Sequence, residues 1–375
     1  MTVSLCMIAY NEEHTLPRLL EEVLAQTYPK DQTELVLVDS ASTDGTRSLL
    51  TQWAQTHLTD YRAILVLDNP QKSQAAGWNT AIKETTGEVI IRLDAHASIP
   101  ADFIEQNVKL IAQGEDVCGG ARPNKAEQPT PRQELLLLAE SSMFGGSPAG
   151  YRRQSGTKKY VSSVFHGAYR REVFAKVGGF NEDLGRTEDN ELHYRIRRAG
   201  YRICQGGDIL SYQYSRGTLS GLLRQKYGNG QWIGLTMGVC YQCISSFHFV
   251  PFFFVLILLC SLLLFVSAFI SGRVWMLLPF LVVFGSYLLA AMAMTVAAMH
   301  AAEKKHPLQL LLPVIFFLLH SAYGVGTIVG LVRLPFWKHG LKKRAKRTGV
   351  SAQDKIEEVR QAVIRHTVPP TGEES

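Results

Sequence analysis

The stretch EVIIRLDAHASIP, residues 88–100, decides how the N-terminal part of the chain is interpreted. It begins as an apolar run, typical of a strand with both faces covered, and ends in Asp94, Ala95 and His96. Residues i and i+2 of an extended segment point the same way, so Asp94 and His96 could bind one metal ion. Oxygen and imidazole ligands together suit Mn²⁺, whereas Mg²⁺ prefers oxygen alone. The alternative is that His96 only caps a helix opening at Pro100.

Three similar apolar runs precede this stretch along the chain. VSLCMIA, ELVLVDS and AILVLDN are each expected to form a strand covered on both faces. Between the first two, Leu16, Leu19, Leu20, Val23 and Leu24 recur at helical spacing. This repeated strand–helix pattern predicts a Rossmann-like α/β domain with a mainly parallel sheet and right-handed crossovers.

Carboxylates follow the predicted strands, where parallel sheets bind their ligands. Asp39, Asp68 and Asp94 all fall at these ends. Asp39 would be costly to bury without a partner, so we expect it to contact a ligand. Asp44 is equally explained by turn and helix-cap chemistry or by ligand binding. Because no GxGxxG or GxxxxGK[ST] motif follows these strands, a phosphate ligand would need a metal ion or basic residues.

A second acidic group lies in GGFNEDLGRTEDNELHYRIRRAGYRI, residues 178–203. Thr187 can cap a helix, and the helix dipole stabilises acidic residues in a first turn, so Glu188, Asp189 and Glu191 could be ordinary capping residues. Three carboxylates behind a Gly-Gly-Phe turn exceed what a cap requires, and a general base is the functional alternative.

The last third of the chain has a different composition. Residues 249–270 and 274–299 are uncharged and long enough to cross a bilayer, and residues 307–332 form a third such run that is richer in glycine. The N-terminus lacks the basic region of a signal peptide, so residues 1–230 are expected to stay in the cytoplasm.

The formal charge of +6 comes largely from KHGLKKRAKR, residues 338–347, which suits anionic cytoplasmic lipid. No stacking aromatics are interleaved there, so nucleic-acid binding is not expected. Three full spans would leave this tail outside, against the positive-inside tendency. We therefore expect one segment, the glycine-rich third one, to be re-entrant or interfacial.

Five motifs in order carry a family resemblance: MIAYNEE, VDSASTDGT, RLDAHAS, VGGFNEDLGRTEDNELHYRIRRAGYRI and RQKYGNGQW. Over residues 1 to about 235 the chain resembles the family 2 glycosyltransferases of GT-A fold. It is most similar to the succinoglycan-biosynthesis-type membrane glucosyltransferases, whose metal motif reads DAH in place of DxD.

The resemblance implies roles for named residues. Ala9, Glu12 and Asp39 would line the nucleotide pocket, and Asp94 would hold the donor and, with His96, a Mn²⁺ or Mg²⁺ ion. Asp189 would be the catalytic base. The acceptor or diphosphate side would comprise Glu188, Gln225, Gln231 and Trp232. The arginine of the family's QxxRW motif is absent from RQKYGNGQW, which argues against processive polymerisation.

These features predict four parts of the chain: a GT-A domain over residues 1–232, an interfacial segment over 233–248, a membrane region of two to three helices over 249–333, and a basic, partly disordered cytoplasmic tail over 334–375. The expected function is inverting transfer of a sugar, by resemblance from UDP-glucose, to a polyprenyl-diphosphate-linked saccharide at the inner membrane. A soluble acceptor would give no reason for a membrane anchor.

Two other functions remain open. A processive polysaccharide synthase would be expected to have more membrane helices. A non-catalytic membrane sensor would bind a nucleotide and lose nothing measurable when Asp189 is replaced.

Overall fold

The four predicted strands form one half of a central sheet in the computed structural model, which describes residues 1–126, 129–146, 156–214, 217–302 and 304–367. The predicted disorder at the end of the tail concerns residues 368–375, which lie outside the described residues. The chain divides into two units. Unit 1 comprises Met1–Pro123, Gly150–Tyr214 and Leu341–Ser375, and unit 2 comprises Asn124–Ala149 and Ser215–Gly340. The division predicted at residue 232 stays a prediction.

Unit 1 holds the central sheet. The strands of this sheet are β1 (Val3–Ala9), β2 (Thr33–Asp39), β3 (Ala63–Asp68), β4 (Val89–Asp94), β6 (Val117–Ala121), β8 (Lys159–Val161), β9 (Phe165–Arg170) and β10 (Ile203–Leu210). Two short strands of unit 1, β5 (Ala97–Ser98) and β11 (Tyr212–Tyr214), pair with each other outside it, and β7 (Asn124–Lys125) belongs to unit 2. The sheet order is β3-β2-β1-β4-β9-β6-β10-β8. Strands β1 to β4 are parallel, and β9 runs antiparallel between β4 and β6. The prediction of a mainly parallel α/β sheet is confirmed.

Helices cover both faces of this sheet. Those of unit 1 are α1 (Leu16–Leu24), α2 (Thr46–His57), α3 (Gln74–Glu84), α4 (Phe103–Ala112), α6 (Arg171–Val177), α7 (Glu188–Arg198) and α12 (Ala352–Thr367). Alternate residues of β1 enter opposite cores: Leu5 and Met7 pack with α1 and α4, and Cys6 and Ile8 pack with α3 and α12. Strands covered in this way must be apolar throughout, as the sequence predicted.

Strand β3 departs from that prediction. It was expected to be covered on both faces, but it is the edge strand, and only Ile64 of its six residues is fully buried. Its last residue, Asp68, makes an exposed ion pair with Arg47 at 3.0 Å. Edge position explains both facts, because the outer side of the strand has no neighbour.

Helix α12 belongs to unit 1 although it follows the apolar segments in sequence. Its Val359 and Val363 are buried in the core formed with α3 and α6. The Ile356 carbonyl accepts a hydrogen bond of 3.1 Å from the Gly179 amide. A Cβ at Gly178, where φ is +77°, would meet that carbonyl oxygen at 2.5 Å. The Gly178–Gly179 turn is therefore closed over by the C-terminal helix.

Unit 2 contains the apolar helices. They are α5 (Pro131–Ser141), α8 (Leu219–Thr236), α9 (Val250–Ser271), α10 (Leu278–Ala301) and α11 (Leu312–Thr348), the last of which runs on into unit 1. Among the described residues, three segments are long and apolar enough to cross a membrane: Ser246–Ser271, Val274–Ala301 and Pro307–Thr348. The third segment is one continuous helix from Leu312, so the prediction that it reverses direction as a re-entrant segment is wrong. The alternative, an interfacial position, stays a prediction.

Glycines allow α8 and α11 to approach closely. A Cβ at Gly230 would lie 2.0 Å from the Tyr323 carbonyl oxygen, and one at Gly326 would lie 2.1 Å from that of Tyr227. Small residues at such contacts are typical of helices packed within membranes.

Candidate active site

Two interlocked loops form the first wall of the site. Strands β1 and β2 end side by side, with Ala9 paired to Asp39 in register. The Asn11 amide donates to Ser42 Oγ at 3.0 Å, and the Asn11 side chain accepts from the Thr43 amide at 2.8 Å. The nucleotide-pocket residues predicted on these two loops are thus brought together.

Asp39 has one hydrogen-bonded carboxylate oxygen and one without a hydrogen-bond partner among the described residues. Its Oδ2 accepts the Ser42 amide at 3.2 Å. Its Oδ1 is buried without a hydrogen-bond partner among the described residues, and the whole residue is only 4 % exposed. A buried carboxylate oxygen without a partner is costly, so Asp39 has the properties of a ligand-binding group.

Asp44 serves the turn that follows. Its Oδ1 accepts the Thr46 hydroxyl at 2.6 Å and the Thr46 amide at 3.1 Å. Hydrogen bonds from Thr46 hold the pKa of Asp44 below its ordinary value. These contacts agree with the turn interpretation of this residue.

Asp94 ends β4 and faces a histidine that the sequence analysis missed. Its Oδ2 lies 3.3 Å from His166 Nε2, and its Oδ1 lies 3.4 Å from Gln74 Nε2. Burial would raise the pKa of Asp94, but the imidazole of His166 at 3.3 Å, with the charges of His96 and Arg92, holds it well below its ordinary value. Asp94 is therefore an ionised carboxylate suited to a cation.

His96 is held by Glu12. Its Nδ1 lies 3.3 Å from Glu12 Oε1, and its side chain is 40 % exposed. Burial lowers the pKa of His96, but the Glu12 hydrogen bond and the Asp94 charge raise it overall above its ordinary value. Helix α4 begins at Phe103 with Asp102 at its N-cap, so the alternative that His96 caps this helix is wrong.

The metal-binding capacity of the site is modest. Among the described residues, no group of three or more His, Cys, Asp and Glu side chains is placed to hold a metal ion. Asp94 supplies an ionised carboxylate, whereas His96 faces Glu12 with Nδ1 and lies 3.1 Å from Gln213 Nε2 with Nε2, so their joint binding of a metal ion stays a prediction. Arg122 adds a buried cation near both histidines: burial first, and then the charge of Arg122, lowers the pKa of His166, while the pKa of His96 stays raised overall despite Arg122. The sequence analysis called for a metal or basic residues at this place, but it did not identify Arg122.

Asp189 is fixed by a buried arginine from β4. Arg92 Nη1 lies 2.6 Å from Asp189 Oδ1, and the guanidinium lies over the rings of Trp78 and Phe180 at 4.3 and 4.5 Å. Arg92 is two residues before Asp94, so one strand carries both the predicted donor ligand and the partner of the predicted base. Thr187 occupies the N-cap position of α7 but makes no side-chain cap hydrogen bond.

The two acidic neighbours of Asp189 lie in different surroundings. Glu191 forms an ion pair with Arg195 at 2.7 Å. Glu188 is 3 % exposed, and its Oε2 has no hydrogen-bond partner within the described part of the chain. Burial, followed by the charge of Asp189, raises the pKa of Glu188 to about 8. Only Asp189 of the three combines an ionic partner on β4 with a partly exposed side chain, at 16 %.

The remaining predicted residues lie in unit 2. Gln225, Gln231 and Trp232 are all half-buried in α8. The Gln231 carbonyl oxygen would lie 2.2 Å from a Cβ at Gly330, and the Trp232 ring meets Trp337 edge-on at 6.0 Å. Their part in an acceptor site stays a prediction.

Comparison with known proteins defines the class first. Over 89 % of this chain and 87 % of the other, the structure resembles a mannosyltransferase from Pyrobaculum calidifontis in complex with GDP-Man and Mn²⁺, with a TM-score of 0.52 and 22 % identity. The fold is therefore GT-A, as predicted.

Sequence comparison then defines the family. Residues 4–178 match the model of glycosyl transferase family 2. The succinoglycan biosynthesis protein ExoA of Rhizobium meliloti (strain 1021) is 31 % identical over 234 residues, which are 61 % of this chain and 68 % of that protein. The dolichyl N-acetyl-alpha-D-glucosaminyl phosphate 3-beta-D-2,3-diacetamido-2,3-dideoxy-beta-D-glucuronosyltransferase of Methanococcus voltae is 24 % identical over 88 % of this chain and 97 % of that protein. The chain belongs to glycosyl transferase family 2, and it is an enzyme of that family.

Proposed function

We propose that the protein is an inverting glycosyltransferase of the cytoplasmic membrane, with unit 1 in the cytoplasm. It would transfer a sugar from a nucleotide donor, UDP-glucose by its resemblance, to a polyprenyl-diphosphate-linked saccharide in exopolysaccharide or cell-surface polysaccharide synthesis. The observation that carries the proposal is the pairing of Asp189 with Arg92 on β4, the strand that ends in the ionised Asp94.

The donor would bind at the carboxyl ends of β1, β2 and β4. Asp39, with a buried oxygen awaiting a partner, would accept hydrogen bonds from the base or ribose, beside Ala9 and Glu12. Asp94 and His96 would hold a divalent cation, Mn²⁺ or Mg²⁺, at the diphosphate. When bound, such an ion stabilises the charge that develops on a departing phosphate.

Asp189 would act as the general base. A carboxylate near the acceptor hydroxyl takes its proton as the hydroxyl oxygen attacks the anomeric carbon, and the bond to the diphosphate breaks on the opposite side. One displacement inverts the anomeric centre, so an α-linked donor would give a β-linked product. A second nucleophilic carboxylate is unnecessary, unlike in retaining glycosidases. Arg92 would keep Asp189 in place through its rigid, ring-stacked guanidinium.

Three observations support a lipid-linked acceptor. Three helices are apolar and long enough to cross a membrane. Between α8 and α9, Tyr241 and Phe247 are 61 % and 65 % exposed, as aromatic residues are at membrane interfaces. The Methanococcus relative, which aligns over nearly its whole length, is named for a dolichyl phosphate substrate.

Calorimetric titration of the detergent-solubilised protein tests the donor assignment. UDP-, GDP- and CMP-sugars would each be titrated with Mn²⁺ and with a chelator. We expect binding of UDP-glucose that depends on the metal, and a loss of about tenfold or more in affinity for Asp39→Asn and Asp94→Ala. Asp68→Asn is the matched control, because this aspartate also ends a parallel strand but pairs with Arg47 on the exposed edge.

Failure to bind any of the three donors would overturn the proposal. Selective binding of a GDP- or CMP-sugar would preserve the enzyme class and replace the donor. Transfer of the sugar to a polyprenyl-diphosphate saccharide, followed by analysis of the anomeric configuration, then tests the acceptor and the stereochemistry.

A further inference from the structure

His166 has an unusual backbone for a buried histidine. Its φ is +44°, in the left-handed region that favours glycine and asparagine. It lies on β9 where the pairing with β6 changes register, between Cys118 and Gly120. Irregularities of this kind often re-aim a side chain at an active site, and backbone strain persists where the surrounding structure enforces it.

The imidazole ring of His166 lies between Asp94 and Ser211, the residue after β10. His166 Nδ1 lies 2.9 Å from the hydroxyl of Ser211, and Nε2 lies 3.3 Å from Asp94 Oδ2. The side chain is only 3 % exposed. An ionised carboxylate can only accept, so the ring faces it with Nε2–H and takes the Ser211 proton at Nδ1.

The contact with Asp94 is incomplete in this conformation. Although Nε2 is within reach of Oδ2, it makes no aligned hydrogen bond to any described residue. Catalytic hydrogen bonds are often long or misaligned without substrate and tighten when it binds. A strained, buried donor aimed at a cation-binding carboxylate is more than packing requires.

We propose that His166 is a positioning residue that orients the carboxylate of Asp94 for the metal and diphosphate of the donor, with Ser211 fixing the ring. The proposal rests on the donor site proposed above and adds a residue to it. His166 faces one Asp94 oxygen, Oδ2, and would hold it when the donor binds. The other oxygen, Oδ1, has only a long contact of 3.4 Å with Gln74 Nε2, which leaves it for the cation. Ligating side chains are commonly held in this way by a hydrogen bond from behind.

The test separates positioning from structural support. Asparagine tolerates the left-handed backbone, so His166→Asn should leave the apparent melting temperature unchanged or raise it while it weakens UDP-glucose binding in the presence of Mn²⁺ about tenfold. Ser211→Ala should weaken the same binding severalfold. In an Asp94→Asn background, His166→Asn should cause no further loss, because the group that it orients has been altered.

His193 supplies a matched control. It is equally buried in unit 1, and its two nitrogens contact Ser163 Oγ at 2.8 Å and Tyr169 Oη at 2.9 Å. His193→Asn should lower the melting temperature and leave the Mn²⁺-dependent affinity unchanged.

Three results would overturn the proposal. The first is unchanged affinity in His166→Asn together with normal wild-type binding. The second is a loss of affinity that is accompanied by a fall in melting temperature like that of His193→Asn. The third is a full additional loss in the double variant. Absence of metal-dependent binding by the wild type is a different result, which rejects the proposed donor site itself.

Discussion

At the scale of single residues, the proposed chemistry depends on how Asp189 is held. A carboxylate that acts as a base needs a fixed position and one face open to the acceptor. Arg92 provides the first, because its guanidinium is stacked over two rings and lies 2.6 Å from one Asp189 oxygen. The partial exposure of the Asp189 side chain provides the second.

Replacing Asp189 by asparagine tests that role. Asparagine keeps the shape but cannot take a proton, so we expect turnover to fall by roughly 10² to 10⁴, while the donor dissociation constant changes by no more than about twofold. Transfer is measured with radiolabelled donor and binding by calorimetry. Asp116→Asn, which alters an exposed pair with Arg170, is the control and should leave both unchanged. Wild-type turnover by Asp189→Asn would show that Asp189 is not the base.

Glu188 should make the stability of the protein depend on pH. Burial, followed by the charge of Asp189, raises the pKa of Glu188 from 4.5 to about 8. Between these two pH values the folded protein keeps a proton on Glu188 that the unfolded chain has lost. Its contribution to stability is therefore complete below about pH 4.5 and is lost as pH rises through about 8. Glu188→Gln should gain stability relative to wild type by on the order of 1–3 kcal/mol between pH 5 and pH 8. The free energy of unfolding is measured against pH for both variants, with Glu84→Gln, at an exposed position, as the control. Equal pH dependence in Glu188→Gln and Glu84→Gln would contradict the expected gain.

At the scale of elements, α12 stabilises the approach to the site. Its Val359 and Val363 complete one core of unit 1, and its Ile356 carbonyl binds the Gly179 amide. The same turn is held from α3, where Asn79 accepts from the Phe180 amide at 2.7 Å. The segment that leads to Asp189 is thus fixed by helices from two distant parts of the sequence.

Removing part of that contact should affect stability. Val359→Ala is expected to destabilise the protein by about 1–3 kcal/mol, since it leaves a cavity beside a close-packed turn. Arg365→Ala, on the exposed side of the same helix, should have little effect. Thermal unfolding of both variants checks this, and equal melting temperatures would show that α12 contributes nothing to the fold of unit 1.

At the scale of the whole molecule, the sequence predicted the architecture better than the contacts within it. Four apolar runs, each ending near a polar residue, were enough to place β1 to β4 and the carboxylates at their ends. Asp94 and Asp189 could also be singled out, because acidic residues after a buried strand or crowded behind a glycine turn need an explanation.

What could not be predicted depends on long-range packing. The Arg92 partner of Asp189 is 97 positions away in sequence. His166 turns toward Asp94 where β9 changes register with β6, and no residue pattern in FHGAYR indicates that irregularity. The edge position of β3 was missed for the same reason, since its composition matches that of the central strands. Likewise, residues 334–375 were expected to be a basic tail, because nothing in the local sequence identifies the core that buries Val359 and Val363.

The return of α12 to the core of unit 1 limits the membrane topology. A chain that leaves a domain on one side of a bilayer and rejoins it must cross an even number of times. Within the described part of the chain, three candidate spans lie between these two points, so we expect no more than two of them to be complete crossings. The third has 39 % of its most apolar window buried within the protein, against 17 % and 6 % for the others, so it has the least surface left for lipid. The basic segment would then stay on the side of unit 1, in keeping with the positive-inside tendency.

Accessibility of single cysteines in a cysteine-free protein tests this parity. We expect Gln113→Cys in unit 1 and Gln353→Cys in α12 to react with a membrane-impermeant reagent from the same side. Arg273→Cys, between α9 and α10, should react from the other side. Labelling of residues 113 and 353 from opposite sides would mean an odd number of crossings. In that case α12 could not pack on the core of unit 1, where Val359 and Val363 are buried.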